Sequence, residues 1–181
     1  MTDEQLIHGC IKGKPDCQKL LYEKYNGKLM GICLRYAKDE HEAHDMLQDG
    51  FIKIFNKLES YNGKGSLSAW LCRLVVNNCL DHLRKTKNQR KHVEVDLADT
   101  YENASHEIMS KLSAKDILGY IQELPQGYRT VFNMFAIEGY SHKEIGQELG
   151  ITENTSKSQY RKARLQLMNT IEQSNKVLRS E

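Results

Sequence analysis

Two helix-start signals separated by a glycine constrain how the C-terminal part of this chain can fold. Ser141 and Glu144 match the capping-box pattern S-x-x-E, in which the two residues exchange hydrogen bonds at the start of a helix. Gly150 follows where helices end in a left-handed backbone conformation, which glycine adopts without a Cβ clash. Thr152 can cap the next helix. The spacing predicts a short helix, a glycine turn and a longer helix over residues 141 to about 167, which is the helix-turn-helix arrangement.

The second helix of this motif separates into a buried and an exposed face. Residues at steps of four, three and four are predicted to pack inward, and these are Ser156, Tyr160, Ala163 and Leu167. Polar and basic residues elsewhere on the helix are the candidates for DNA contact: Asn154, Lys157, Ser158, Arg161, Lys162 and Arg164. The first turns of a recognition helix contact base edges, so the first three are base-edge candidates, whereas the last three suit phosphates as well as base edges. The competing interpretation is an exposed basic face on an ordinary helical hairpin.

The rest of the chain predicts an all-α protein. Short alternating runs of Val, Ile, Thr and Tyr between turns are nearly absent, which argues against strands. An apolar content of 39% and a mean hydropathy of −0.64 fit helices that each bury one face. Helices are predicted at about 2–12, 16–25, 28–37, 43–58, 66–86, 108–123 and 125–139, ahead of the helix-turn-helix.

A polar stretch divides these helices into two small domains. Residues 87 to about 106 contain few large apolar side chains and change from basic to acidic, which is typical of a flexible linker. We expect an N-terminal helical domain over residues 1–90 and a flexible linker over residues 91–107. A second helical domain, which contains the helix-turn-helix, is expected over residues 108–175.

The sequence indicates no metal site, no disulfide framework and no membrane-spanning segment. The five cysteines are odd in number and form no C-x-x-C pair, which argues against a zinc cluster or a disulfide framework. The seven histidines show no ligand spacing, so we expect neither a metal nor another cofactor. The N-terminus lacks a signal-peptide pattern, and no apolar run approaches the roughly 20 residues that span a bilayer. A cytoplasmic protein without membrane insertion is therefore expected.

Charge alternates along the chain in blocks. Residues 39–49 and 94–107 are acidic without any Lys or Arg, whereas residues 81–92 and 157–164 are mainly basic. This alternation predicts separate surfaces for separate partners, and the basic surfaces are suited to phosphate.

The first acidic block falls on a strongly amphipathic helix. Its polar face consists of Asp45, Gln48, Asp49, Ile52, Lys53 and Asn56. A negative surface repels phosphate, so this face is not expected to contact DNA. Ile52 among polar residues suggests a protein interface, but a single exposed apolar residue is also ordinary. The pattern alone leaves an interface and a solvated face equally open.

The helix predicted at 66–86 has a polar stripe on an otherwise apolar surface. The stripe begins with Arg73, Asn77, Asp81 and Arg84 and continues into Lys85, Lys87, Arg90 and Lys91. It follows a glycine-containing loop with the polar residues Asn62, Lys64 and Ser66, between the aromatic residues Tyr61 and Trp70. Amide and basic groups beside aromatic rings suit unstacked bases and backbone phosphates, although a tryptophan is more often part of the core.

Over nearly its full length the chain resembles the extracytoplasmic-function (ECF) group of bacterial RNA polymerase sigma factors. The acidic helix matches the family pattern D-x-x-Q-[DE]-x-F-x-[RK]-x-[WF] from Asp45 to Phe55. The next helix matches W-L-x-x-[IVL]-x-x-N-x-x-x-D-x-x-R from Trp70 to Arg84. Leu124-Pro125 resembles the start of the family's second domain, which ends in a helix-turn-helix. Several motifs in the right order make this a specific match.

The resemblance implies a role for each candidate surface. Polymerase binding is implied for Asp45, Gln48, Asp49, Ile52 and Lys53. Recognition and melting of the −10 element are implied for Asn62, Lys64, Ser66, Arg73, Asn77, Arg84 and Lys85. The helix-turn-helix would read the −35 element, and the linker would run through the polymerase interior. Core RNA polymerase and promoter DNA are the implied partners, and an anti-sigma factor is a further one. Ser156 departs from the family's usual aliphatic residue, and its hydroxyl can bond back to the carbonyl one turn earlier.

Three functional hypotheses follow. The first is an alternative sigma factor of ECF type, which has no catalysis of its own and directs core polymerase to specific promoters. The second is an autonomous helix-turn-helix regulator that binds duplex DNA without polymerase. The third is a nucleic-acid enzyme, which would need paired carboxylates or a metal cluster in a pocket. The acids at 39–49 are instead spread along the outside of a helix, so we do not expect an enzyme.

Overall fold

The computed structural model describes residues 2–89 and 113–177, with side chains described except at positions 87–89, 114 and 175–177. These residues form helices, turns and bends and include no strand, which confirms the all-α prediction. They fall into two compact units, and the division between the units lies between residues 94 and 95. The predicted linker at 91–107 and the basic residues Arg90 and Lys91 lie outside the described residues.

The α-helices of the first unit are α1 (Asp3–Ile11), α2 (Pro15–Tyr36), α3 (Glu40–Lys57) and α4 (Leu67–Gln89). A 3-10 turn, Leu58–Ser60, follows α3 directly. Thr2 and Gln5 form a capping box at the start of α1. At the start of α3, Oδ1 of the N-cap Asp39 accepts a hydrogen bond from the backbone N–H of Glu42 at 2.8 Å.

The prediction of two helices between residues 16 and 37 is wrong, because α2 runs without a break through Gly27. The helix begins earlier than predicted, with Lys14 as its N-cap, since Pro15 occupies the first helical position, where its missing N–H has no helical partner to lose. An internal glycine costs a helix about 1 kcal/mol relative to alanine. Burial of the α2 residues Leu21, Tyr25, Leu29 and Ile32 offsets this cost.

Close packing of α3 on α4 forms the centre of the first unit. Gly50 allows the approach, because a Cβ at this position would lie 3.3 Å from a methyl carbon of Val75. The buried Asn78 donates a hydrogen bond from Nδ2 to the carbonyl oxygen of Met46 at 2.8 Å. This bond satisfies a buried amide and fixes the two helices relative to each other.

The second unit contains α5 (Ala114–Glu123), α6 (Gln126–Phe132), α7 (His142–Leu149) and α8 (Glu153–Val177). A π-helical turn, Asn133–Ile137, continues α6 and leads to Gly139, which has a φ of +78°. Residues from all four helices and the π-helical turn form the buried core, and these include Ile121, Leu124, Val131, Met134, Ile145, Ala163 and Leu167. Among the described residues, no helix is both long and apolar enough to cross a membrane.

Candidate nucleic-acid interface

The turn of the helix-turn-helix is built as the sequence predicts. The Ser141 hydroxyl accepts the N–H of Glu144 at 3.2 Å, and the Glu144 carboxylate accepts the N–H of Ser141 at 2.8 Å. Gly150 has a φ of +67°, and its N–H bonds to the carbonyl of Gly146. The Thr152 hydroxyl then accepts the N–H of Thr155 at 3.0 Å at the start of α8. These contacts fix the direction in which α8 leaves the turn.

Gly146 is a second glycine on which this turn depends, and the sequence analysis did not single it out. A Cβ at this position would lie 2.8 Å from the carbonyl oxygen of Ile151, which belongs to the backbone. The backbone N–H of Ile151 also donates to the carbonyl of Gly146 at 3.1 Å. The close passage of the turn over α7 therefore uses the absence of a side chain. A glycine inside a predicted helix was the available signal.

The two faces of α8 agree with the predicted division. Ser156 and Ala163 are fully buried, Leu167 is buried and Tyr160 is half-buried. The candidate DNA-contacting residues of α8 are all exposed: Asn154, Lys157, Ser158, Arg161, Lys162 and Arg164. The structure therefore brings these side chains to one accessible helix surface, as contact with a DNA groove requires.

Three of the exposed cations contact neighbouring side chains. Lys157 Nζ lies 2.7 Å from a carboxylate oxygen of Glu153, and this ammonium group holds the pKa of Glu153 below its usual range. Lys162 lies over the Tyr128 ring at 5.9 Å, and the Arg164 guanidinium lies over the Tyr160 ring at the same distance. Such exposed contacts are weak, so exchange for a phosphate requires little free energy.

The hydroxyl of the buried Ser156 contacts another helix, and not the carbonyl one turn earlier in its own helix as the sequence predicts. Its Oγ lies 2.9 Å from Nδ1 of His142, at the start of α7. The imidazole stacks on Phe135 with ring centroids 4.1 Å apart and planes 10° apart. Burial lowers the pKa of His142 and the nearby Lys157 lowers it further, while Glu153 acts in the opposite direction. Position 142 is 14 residues from position 156, so no local pattern indicates this contact.

The loop between α3 and α4 has a defined shape. Gly63 and Gly65 have φ angles of +75° and +82°, which favour glycine. The Tyr61 hydroxyl donates to the carbonyl of Gly65 at 2.7 Å, and the Tyr61 ring lies 5.4 Å from that of the half-buried Trp70. The backbone N–H of Lys64 donates to Oδ1 of Asn62 at 3.0 Å. The Tyr61 ring and the backbone turns thus hold the loop against α4.

The polar stripe on α4 is exposed where the sequence predicts it. Arg73, Asn77, Arg84 and Lys85 are all exposed, and so are the loop residues Asn62, Lys64 and Ser66. The Ser66 hydroxyl accepts the N–H of Ala69 at 3.1 Å and thereby caps α4. Asp81, within the stripe, contacts Lys53 at 2.9 Å and Arg84 at 3.1 Å. This carboxylate therefore orders two basic side chains, which the sequence analysis did not foresee.

The acidic face of α3 combines charge with apolar surface. Asp45, Gln48 and Asp49 are exposed, and Ile52 is 59% exposed, more than any other large apolar residue in the described ranges. Lys53 differs from these four because it is half-buried and turned towards Asp81 on α4. A single exposed isoleucine beside carboxylates fits a protein interface and a solvated face equally well, so the exposure of this face permits a partner without identifying one.

Clusters that could hold a metal ion are absent from the described residues: no group of three or more His, Cys, Asp or Glu side chains converges there. All five cysteines are free, and three of them, Cys10, Cys33 and Cys79, are buried.

Comparison with known proteins accounts for both units. The family model for Sigma-70 region 2 matches residues 21–89, and the model for Sigma-70, region 4 matches residues 114–167. The ECF RNA polymerase sigma-E factor of Haemophilus influenzae is 25% identical, over 95% of this chain and 96% of its own length. The RNA polymerase sigma-H factor of Pseudomonas aeruginosa is 28% identical, over 90% of each chain.

A solved structure shows the same fold. It contains the sigma factor RpoE of Bartonella quintana in complex with the anti-sigma factor NepR. The TM-score is 0.53 at 19% sequence identity, with 85% of this chain and 96% of the other covered. The region 2 match ends with α4, and the region 4 match runs from α5 into α8 across the helix-turn-helix. The chain belongs to the extracytoplasmic-function group of RNA polymerase sigma factors.

Proposed function

We propose that this chain directs core RNA polymerase to specific promoters by contacting polymerase and two promoter elements with separate surfaces. The observation that carries the proposal is the presence on one chain of two different exposed faces. One is the acidic face of α3 with Ile52, and the other is the basic face of α8 in the helix-turn-helix. The chain acts in the cytoplasm and has no catalysis of its own.

The −35 element is the proposed ligand of α8. Asn154, Lys157 and Ser158 lie in its first two turns and are exposed, which is the position from which recognition helices contact base edges. Arg161, Lys162 and Arg164 lie one to two turns further and bind the flanking phosphates.

The −10 element is the proposed ligand of the loop and the α4 stripe. Asn62, Lys64 and Ser66 lie in a loop whose backbone is held by Tyr61, and Asn77 is exposed on α4. A flipped base would bind at this loop. Because the loop already has a defined shape, it loses little conformational entropy when the base binds. Arg73, Arg84 and Lys85 supply positive charge for the backbone of the melted strand.

Core polymerase is the proposed partner of the α3 face. Asp45, Gln48 and Asp49 provide charge and hydrogen-bonding groups around Ile52. We place Lys53 at the edge of this surface, because its ammonium group already binds Asp81. An anti-sigma factor is a further proposed partner, by analogy with the Bartonella quintana complex.

The alternative is an autonomous helix-turn-helix regulator, and two binding measurements separate the functions. Labelled full-length chain is titrated with core polymerase, and separately with a library of duplex DNA that includes palindromic sites. The proposal predicts tight binding to core polymerase and only weak, salt-sensitive binding to duplex DNA. Specific binding to a palindromic duplex together with no binding to core polymerase would favour the regulator.

A further inference from the structure

A polar contact crosses the helix-turn-helix at the point where α8 begins. Ser156 is fully buried, and its Oγ lies 2.9 Å from Nδ1 of His142 on α7. A buried hydroxyl needs a partner, and a serine inside a helix commonly uses the carbonyl one turn earlier, which bends the helix slightly. Here the imidazole of the other helix supplies a partner. The contact therefore links α7 and α8 by a directional bond as well as by packing.

The imidazole that makes this contact is itself held on several sides. It stacks on Phe135 at 4.1 Å, and the Tyr160 ring lies 5.8 Å away on α8. Lys157 and Glu153, also on α8, are the charged residues that act on the ring. Phe135 and Tyr160 contact each other at 4.6 Å, so the two rings and the imidazole form one cluster. A ring packed in this way can hold its partner in one place.

Ser156 lies among the residues that we propose to contact base edges. It falls between Asn154 and Lys157 in the sequence, and Ser158 follows. A hydrogen bond at position 156 therefore sets the rotation and depth of the first two turns of α8. Binding sites of this kind tolerate displacements of only about 0.5 Å and 10–20° before their geometry is lost.

We propose that His142 is a positioning residue that, through Ser156, sets the orientation of the first turns of α8 and thereby the base preference at the upstream promoter element. His142 acts through Ser156 rather than by touching DNA. The proposal rests on the proposed function of α8 as the −35 reader. It adds to that function a pair of residues that form no part of the exposed recognition surface.

The test is a promoter library randomised across the upstream element and transcribed by core polymerase with full-length chain. The variants are Ser156→Ala, His142→Phe, which keeps a stacking ring without the hydrogen bond, and the double variant. His142→Asn is the conservative variant, because its amide can reach Ser156 much as Nδ1 does. Ser174→Ala, at a half-buried serine about five turns further along the same helix, is the matched control.

Both single variants should change the base preference at the same upstream positions, by about fivefold, as expected for loss of one hydrogen bond. The double variant should be no worse than either single variant. His142→Asn should restore much of the preference, and Ser174→Ala should leave it unchanged. Base preference at the downstream element should stay as in the wild type for every variant.

An unaltered base preference at the upstream element in both single variants would overturn the inference. It would also be overturned if the two single variants changed the preference at different promoter positions and their effects added in the double variant. Such results, with a wild type that still prefers certain upstream sequences, would leave the proposed function standing. A wild type with no upstream preference would overturn the proposed function and the inference with it.

Nitrogen NMR of His142 in the full chain supplies a readout independent of DNA. Its Nδ1 signal should shift in Ser156→Ala and not in Ser174→Ala, and an unchanged signal in Ser156→Ala would also overturn the inference.

Discussion

Nζ of Lys53 lies 2.9 Å from Oδ2 of Asp81, so the helix with the acidic face is tied to the helix with the basic stripe. Arg84 contacts the other oxygen of the same carboxylate at 3.1 Å. One aspartate thus orders side chains on two surfaces for which we propose different partners. The contact directly links the surface of α3 that we propose to bind polymerase to the surface of α4 that we propose to bind DNA.

Replacement of this carboxylate should alter binding to the two proposed partners more than it alters the free energy of unfolding. Lys53 and Asp81 keep 37% and 45% of their side-chain surfaces exposed, so Asp81→Asn should lower the free energy of unfolding by less than about 1 kcal/mol. Chemical denaturation of the full chain measures this change. The small loss should shrink further in high salt, because exposed charges are screened. A loss of several kcal/mol that is insensitive to salt would contradict this interpretation.

Charge reversal on the α3 face should weaken polymerase binding. Asp49→Lys replaces a carboxylate beside Ile52 by a cation in the surface proposed to meet core polymerase, and a reversed charge in an interface loses the complementarity of the original group. We expect the affinity for core polymerase to fall by at least about tenfold, which corresponds to roughly 1.4 kcal/mol. A fluorescence titration with the full chain measures it. Glu59→Lys, an exposed reversal on the adjoining 3-10 turn, is the matched control and should have little effect.

Truncation of the basic side chains of α8 should reduce promoter-specific transcription. Lys157→Ala removes a proposed base-edge contact, typically worth about 1–3 kcal/mol, and Arg161→Ala removes a proposed phosphate contact, whose loss weakens binding to all sequences alike. Quantitative run-off transcription at a selected promoter measures the loss. Lys115→Ala, an exposed lysine of α5, controls for the general loss of positive charge. Unchanged transcription in both α8 variants would refute the assignment of the recognition face.

The second unit should lose stability in mild acid because of His142. Burial and Lys157 lower the pKa of this imidazole in the folded chain, so the unfolded chain binds a proton more readily. Stability therefore falls as the pH drops below the ordinary histidine pKa of about 6.5, and the fall ends at the lower pKa of the folded state. Denaturation at pH values between about 7.5 and 5 measures the slope. His142→Phe should reduce the slope, and an equal slope in the variant would show that other groups cause it.

The left-handed turn at Gly150 supplies a further test. Its φ of +67° disfavours residues with a Cβ, so Gly150→Ala should lower the free energy of unfolding by about 1–2 kcal/mol. Gly150→Asn should cost less, because asparagine tolerates this conformation better than other residues. Chemical denaturation of the two variants gives the comparison. Equal losses for alanine and asparagine would indicate that the backbone conformation is not the cause.

Local patterns predicted most of this fold because they report on one helix at a time. The capping box at Ser141 and the inward face of α8 follow from spacing within a turn or two, and the structure confirms both. The break predicted between residues 25 and 28 is wrong, since tertiary burial outweighs the low helix propensity of Gly27. The contact between His142 and Ser156 and the pair Lys53–Asp81 were missed, because they join helices whose relative placement no local pattern encodes.

Run-off transcription with purified core polymerase tests the central claim most directly. Core polymerase is assayed on genomic DNA fragments, with and without the full-length chain, and the 5′ ends of the transcripts are sequenced. The account predicts new transcripts from defined start sites only when the chain is added, with two shared sequence elements upstream of them. The same set of transcripts with and without the chain would contradict it.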